Sequence, residues 1–548
     1  MQTAKEFLAT GTKFQLGFLE TEKSHPKTRE LSDLARTDLR HAIATLAEID
    51  CDALDIVSAR AEQIYGLRRQ IEETWESRHR VFLCGCGATG RLSLALECMH
   101  RERVAQYSSD TKGGQSAASE LVVSFMAGGD VALVHSLEGF EDFPEYGARQ
   151  LRDLGFCDGD LLIACTEGGE TPYVIGATEE AAQMSQRLPY FLYCNPDTIL
   201  CEHVERSRRV IENPKITKIN LTVGPMALAG STRMQASTVL QLAVGLALLS
   251  APIPGLATSR INDAKGFCEV CDRVIVELKK YLSREAIRFL PGFIEREANE
   301  YLAGRYVMYG VNAYGITVFT DTTERAPTFS LTPFGHRQAE RLLQLKPSLC
   351  YIYMADNKTS LEAWQKLLGR APRPVNWTEV DTRTAPQYLE AFDFTERGAR
   401  DFRTWRTNSA EHTDFRIGKN KNSLYWDFRD LQRGLVLPHE LLPQGKNEGT
   451  GVDSLFAHML LKTMLNIHST LVMGRLNRYK RNLMTWVYPT NGKLIDRAAR
   501  YARTLLQEDG IEISYEDTVH ALFEVKKQIT GNDSVVLATY EYLKKNRV

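Results

Sequence analysis

Long apolar runs are scarce in this 548-residue sequence. The longest, Val239 to Ala251, is interrupted by Gln241 and closed by Pro252 and Pro254, which predicts a buried helix and no membrane span. The opening MQTAKEFLATGTKFQ lacks the apolar core of a secretory signal. An excess of one charge is missing too: a formal net charge of -2 gives no electrostatic reason to expect nucleic acid or an anionic membrane as partner. The eleven cysteines have no regular spacing, and many lie in apolar stretches such as Val81 to Cys86, which predicts reduced, packed thiols in a cytoplasmic protein. Cys268 and Cys271 form a CxxC pair with no second pair or nearby His cluster, so two thiols on one helical face are expected, without metal or cofactor. Disorder-like bias is absent as well. With 43% hydrophobic and 25% charged residues, the chain can build two or three domains with real cores.

What is present is a repeat. Helical spacing from about Ser32 to Trp75 predicts an opening set of helices, and VFLCGCGATGRLSLALE (Val81 to Glu97) then reads as strand, glycine turn and helix. Further strands are expected at Asp130 to Leu137, Asp160 to Cys165 and Tyr190 to Tyr193, each followed by a helical pattern. The order restarts with RYVMYGVNAYGITVFTDTTE (Arg305 to Glu324) and SLCYIYMADNKTSLEAWQ (Ser348 to Gln365). Two α/β domains of similar plan, each a doubly wound parallel sheet, are the economical reading. The boundaries expected are N-terminal helices over 1–55, a first domain over 56–265, a second over 266–480 with a polar insertion or cover at about 371–451, and a helical C-terminal region over 481–548.

Gly85, Gly87 and Gly90 spell GxGxxG after a strand, with Asp110 about twenty residues on, as a dinucleotide fold requires. Thr89 and Arg91 suit a compact phosphate better. Two more anion-type turns follow, at Thr166 to Thr171 and in VGPMALAGSTRMQAST (Val223 to Thr238). Three such turns describe a small phosphorylated ligand rather than a long dinucleotide.

GCGATGRL, FMAGGDVALVHSLEGFED, TPYVIGA and VGPMALAGSTRMQAST resemble the sugar-isomerase (SIS) family of the N-acetylmuramic acid 6-phosphate etherase and glucokinase regulatory protein. RAPTF, LLKTMLNIHST, NLMTWVYPTNGKLIDRAARY and TEKSHPKTREL extend the resemblance over most of the chain except the polar stretch between the halves. It implies two SIS-type domains fused as a pseudo-dimer, with the ligand where they meet. It also implies carboxylate chemistry, with Glu138 in SLEGFED matching the base that removes the C2 proton of a ring-opened sugar. Glu324 in TTERAPTF matches the acid that protonates the departing D-lactyl ether oxygen, and its apolar neighbours Ala326 and Pro327 are expected to keep it protonated. The plain alternative for a glutamate before a glycine turn is a surface residue or helix cap.

The ligand contacts implied are Gly87, Thr89, Gly90, Arg91, Thr166, Gly168, Glu170, Thr171, Ser231, Thr232 and Lys462, the last with a snorkelling surface lysine as alternative. Cations have been lost from this set: Gly168 and Glu170 stand where the family has serine and arginine, and Gln235 and Gln241 where it has lysines. Glu167 and Glu170 cannot both face a phosphate, so both are expected to point outward and cap the following helix, with a remade ligand as alternative. In the second half only Asn312 is strongly polar in GVNAYG, so no equal second phosphate site is expected. Three functions follow from the resemblance: an etherase-like lyase on an amino-sugar phosphate, a sugar-phosphate-sensing regulator that grips a protein such as a sugar kinase, or a sugar-phosphate isomerase.

Overall fold

Long N-terminal helices lead the chain, among them α1 (Leu39–Ala59), which buries one apolar face. In this computed structural model the described residues are 3–107, 115–256, 261, 263–331, 348–405, 412–420, 423–428, 431–436, 451–487, 489, 491–529 and 533–546. Asp110 lies outside them.

The first half carries five strands, β1 (Val81–Gly85), β2 (Val122–Met126), β3 (Leu161–Cys165), β4 (Tyr190–Tyr193) and β5 (Thr217–Asn220), in the order β2-β1-β3-β4-β5. All neighbours are parallel. Strands β1 to β4 are buried throughout, which is why they read as continuous apolar runs rather than alternating ones. The strand expected at Asp130 to Leu137 is instead a short 3-10 turn, Asp130–Leu133, followed by loop. Gly128 and Gly129, both at positive φ, turn the chain immediately after β2, so the strand lies before them.

The second half has β6 (Tyr306–Val311), β7 (Cys350–Met354), β8 (His412–Asn420), β9 (Ser423–Phe428) and β10 (Leu431–Val436), in the order β10-β9-β8-β6-β7. Around β6 the parallel arrangement β7-β6-β8 repeats β2-β1-β3. Beyond β8 the pairing becomes antiparallel, because only two residues separate β8 from β9 and β9 from β10, too few for a crossover helix. The polar stretch expected as an insertion therefore supplies three strands to this sheet. Its first part, residues 370–388, lies against the first half: Arg370 bridges Glu97 (3.0 Å) and Asp130 (2.5 Å), and the Trp377 ring stacks on Phe140 at 6.2 Å.

Four helices place the site. Helix α2 (Gly87–Tyr107) follows β1, α3 (Pro172–Met184) follows β3, α4 (Gln235–Ser250) follows β5, and α5 (Gly315–Phe329) follows β6. Every residue of α4 is buried, as is nearly every residue of α6 (Gly451–Arg475). These two apolar helices pack on each other at the seam, α4 also touching α2 of the first half and α6 touching α5 of the second. No helix among the described residues is long and apolar enough to cross a membrane. Cys268 and Cys271 sit on the helix Ala264–Tyr281, where burial raises both thiols, Cys271 far more strongly.

Candidate functional site

The three anion-type turns of the first half meet at one cavity of about 850 Å³, open solvent included. Gly87 opens α2 at φ +50°, and a Cβ placed on it meets no atom within 4 Å, so the backbone is bare to the cavity. Gly90, one turn on, permits close helix-to-strand packing: a Cβ there lies 2.5 Å from Met126 Cβ. Helices α3 and α4 start at Thr171–Pro172 and Met234–Gln235, and neither carries a side-chain hydrogen bond at its cap. Of their first N–H groups, Tyr173 N donates to Glu141 O at 3.1 Å and Ser237 N to Thr232 O at 3.0 Å, so what these helices offer the cavity is chiefly the positive end of each dipole.

Of the residues singled out from sequence, Gly87, Gly168, Glu170, Thr171, Ser231, Thr232 and Glu324 line this cavity. Glu138 begins a short 3-10 turn, Glu138–Phe140, between the cavity-lining residues Ser136 and Glu141; its side chain lies outside the description. The remaining residues are placed nearby in supporting positions. Thr89 is spent on its own turn, accepting from Cys86 N at 3.0 Å and donating to Cys86 O at 2.8 Å. Gly90 serves packing. Thr166 hydrogen-bonds Thr171 through their hydroxyls at 2.9 Å. Arg91 holds the Glu324 carboxylate of the second half through its guanidinium and donates to Ala132 O of the first at 2.8 Å. The apolar, proton-retaining setting expected for Glu324 is therefore replaced by direct contact with a cation. Lys462 is neither a snorkelling lysine nor a wall of the cavity: it is buried and donates to Arg233 O (3.1 Å) and Thr238 Oγ1 (2.8 Å).

The two glutamates of TEGGET do not point outward. Glu167 and Glu170 are 8% and 3% exposed and both line the cavity. Glu170 is clamped by Arg206 at 2.6 Å and Lys493 at 3.0 Å. Burial pushes its carboxyl up, but these two cations outweigh that and hold it at about 2. Glu167 has no such clamp. Its Oε1 has no hydrogen-bond partner among the described residues, and burial, reinforced by Glu324, raises its carboxyl to about 7. Ser231 Oγ, beside the same cavity, is equally unpartnered.

Sequence reasoning missed the C-terminal wall. Lys493 and Arg497, on helix α7 (Gly492–Glu508), reach the first half's loops, Arg497 pairing with Glu22 at 2.6 Å. Both stand in NGKLIDRAARY, and Glu22 in TEKSHPKTREL, stretches whose family likeness was the available signal. The first half, the second half and both terminal regions thus each contribute to one cavity.

The family model for the glucokinase regulatory protein N-terminal SIS domain matches residues 63–182. The chain is similar to the N-acetylmuramic acid 6-phosphate etherase of Synechococcus sp. (strain CC9902), 32% identical over 232 residues, which are 42% of this chain and 65% of that one. The etherase of Rhodopirellula baltica is 30% identical over 241 residues, 44% of this chain and 70% of that one. The chain thus spans about two thirds of the length of these relatives. Among solved structures, tagatose-6-phosphate ketose/aldose isomerase from Escherichia coli overlaps 80% of this chain and 93% of its own at a TM-score of 0.34 and 12% identity. With its parallel first sheet, its repeated β7-β6-β8 arrangement and these relatives, the chain belongs to the SIS-domain family of the N-acetylmuramic acid 6-phosphate etherases and the glucokinase regulatory protein.

Proposed function

We propose that the chain binds a sugar phosphate in the cavity between its halves and acts on it as a cytoplasmic, etherase-type lyase. The observation that carries this reading is the composition of the cavity: three helix N-termini approach it at Gly87, Thr171 and Arg233, while Glu324 faces it from the second half. Helix N-termini and the hydroxyls of Ser231 and Thr232 suit a phosphate, and carboxyls suit proton transfer at the sugar carbons.

In this reading Glu138 takes the C2 proton of the ring-opened sugar. The electron pair forms the C2=C3 double bond, the C3–O bond breaks, and the departing D-lactyl oxygen receives a proton from Glu324, which takes that proton up, with its ion pair to Arg91 opened, before the bond breaks. Arg91 fixes the orientation of Glu324 and links its carboxylate to the turn that binds the ligand. The relatives named N-acetylmuramic acid 6-phosphate etherase support this substrate. The test is release of D-lactate from N-acetylmuramic acid 6-phosphate by the purified chain, with none released when both Glu138 and Glu324 are replaced by Gln.

The match to a glucokinase regulatory protein model supports a second reading, a non-catalytic sensor that grips a sugar kinase. Sugar-phosphate binding without lactate release, and with phosphate-dependent capture of a sugar kinase, would establish that reading in place of the first.

A further inference from the structure

A carboxyl group stands where the site is otherwise built for an anion. Helices α2, α3 and α4 start at or just beyond the cavity-lining residues Gly87, Thr171 and Arg233, so their positive ends converge there. Ser231 is 3% exposed and its Oγ has no partner, as expected of a hydroxyl kept for a ligand. Glu167, just past the end of β3, lines the same cavity, and its buried Oε1 is likewise unpartnered. Its neighbour Glu170 is neutralised by Arg206 and Lys493. Other cavity cations are already committed: Arg497 to Glu22, and Arg233 to Asp321 at 3.0 Å. Among the described residues no ion pair holds Glu167: Lys493 is bonded to Glu170, and Lys462 donates to Arg233 O and Thr238 Oγ1, so a bare carboxylate would meet a phosphate dianion with no cation bonded to it.

We propose that Glu167 makes ligand binding proton-coupled: the bound phosphate and the Glu167 carboxyl share one proton in a hydrogen bond between their oxygens. The ligand is a phosphate monoester, and the inference rests on the sugar-phosphate reading above. The proton sits on Glu167 and is donated to a phosphate oxygen, or sits on the phosphate and is donated to Oε1. Either way one proton enters with the ligand whenever both groups are ionised beforehand.

The groups that act on Glu167 come from every element around it. Glu324 of α5 repels its charged form, Lys493 of α7 and Lys462 of α6 favour it, and the thiols of Cys86, Cys165 and Cys194 lie near it. Burial raises all three thiols, so they stay protonated across the neutral range and do not titrate with Glu167. Burial lowers Lys462, which makes it the competing titrating group, but its ammonium already donates to Arg233 O and Thr238 Oγ1 on the far side of the cavity wall. With Glu167 at about 7, proton uptake sets in above neutrality.

The test is calorimetric titration of the full chain with N-acetylglucosamine 6-phosphate, which carries no lactyl ether to be lost, between pH 6 and 9. Repeating it in buffers of different ionisation enthalpy counts protons. The expected result is uptake of about one proton at pH 8 to 8.5, with affinity falling about tenfold per pH unit there. In Glu167→Gln, whose amide still donates, the slope and the proton uptake vanish and affinity above pH 8 exceeds that of the unaltered chain. Flat affinity with no proton uptake in the unaltered chain overturns the proposal while leaving the sugar-phosphate reading intact, and so does an unchanged slope in a folded Glu167→Gln. Absence of binding at every pH overturns both. If Glu167→Gln does not fold, the proton count on the unaltered chain decides alone.

Discussion

Arg233 and Asp321 lie 3.0 Å apart, both almost fully buried, one on the turn leading to α4 of the first half and the other on α5 of the second. Arg233 also donates to Asn466 and Ser469 and, at 2.8 Å, to Thr470, while Asp321 continues through Arg325 to Glu297. The arginine of GSTRMQ therefore belongs to the seam, and the two halves are joined by a polar chain as well as by the apolar contact of α4 with α6. The seam carries the cavity, so its rigidity is a condition of the site.

Breaking that pair from one side leaves a buried charge without its partner. Arg233→Ala or Asp321→Ala is expected to cost about 3–5 kcal/mol. The double variant should cost less than the sum of the single ones, read as a coupling energy from chemical denaturation of the four chains.

Acid should weaken the chain before its ordinary carboxylates explain it. Glu22, Glu97 and Glu170 are each held at about 2, burial being outweighed by Arg497 and Arg500, by Arg370, Arg373 and Arg101, and by Lys493 and Arg206. Each folded value is below the ordinary glutamate value of 4.5, so the stability contributed is complete above that pH and is lost as pH falls from about 4.5 toward 2. A contribution of about 3 kcal/mol apiece is expected. Denaturation midpoints measured from pH 6 to pH 2 should fall less steeply for Glu170→Gln than for the unaltered chain.

The segment holding the Glu138 turn is clamped from outside its own sheet. Trp377 stacks on Phe140, Arg383 and Tyr388 both reach His135 at 3.1 Å, and Asp130 accepts from Arg373 N at 2.6 Å. Trp377→Ala removes a side chain 2% exposed and should cost about 3–5 kcal/mol. Hydrogen exchange over residues 128–141 should rise more than exchange in β1 and β3.

Single replacements of the paired carboxyls separate binding from chemistry. Glu138→Gln and Glu324→Gln are each expected to lower the rate of D-lactate release by about 10²–10⁴-fold. Binding of N-acetylglucosamine 6-phosphate should stay within about threefold for Glu138→Gln, measured by calorimetry.

Much of this architecture is legible in the sequence because local and tertiary signals agree. Strands β1, β3 and β4 are unbroken apolar runs ended by Gly85, Thr166 and Cys194–Asn195, and the restart at Tyr306 announces the second sheet. Strand β2 is hidden because VVSFM and VALV are equally apolar; the two glycines between them, not hydrophobicity, set where pairing ends. Strands β8 to β10 are hidden by their polar composition, being short hairpin-connected strands at one side of a mixed sheet. At the site, the glycine and hydroxyl turns lie at the helix starts that border the cavity, but Glu167 and Glu170 do not point outward as expected. The local preference of an acid for a helix N-terminus gives way to Arg206 and Lys493, and Lys493 lies more than 300 residues away in sequence. No local pattern encodes that meeting.

The most direct measurement is thermal unfolding of the full chain with N-acetylmuramic acid 6-phosphate, N-acetylglucosamine 6-phosphate, fructose 6-phosphate and the same sugars without phosphate. A ligand at about a hundred times its dissociation constant stabilises by roughly 2.7 kcal/mol, enough to shift the melting temperature visibly. The account predicts a shift with at least one phosphorylated sugar, none with its unphosphorylated form, and a larger shift at pH 7 than at pH 8.5. A shift with unphosphorylated sugars alone, or with none of the panel, would contradict it.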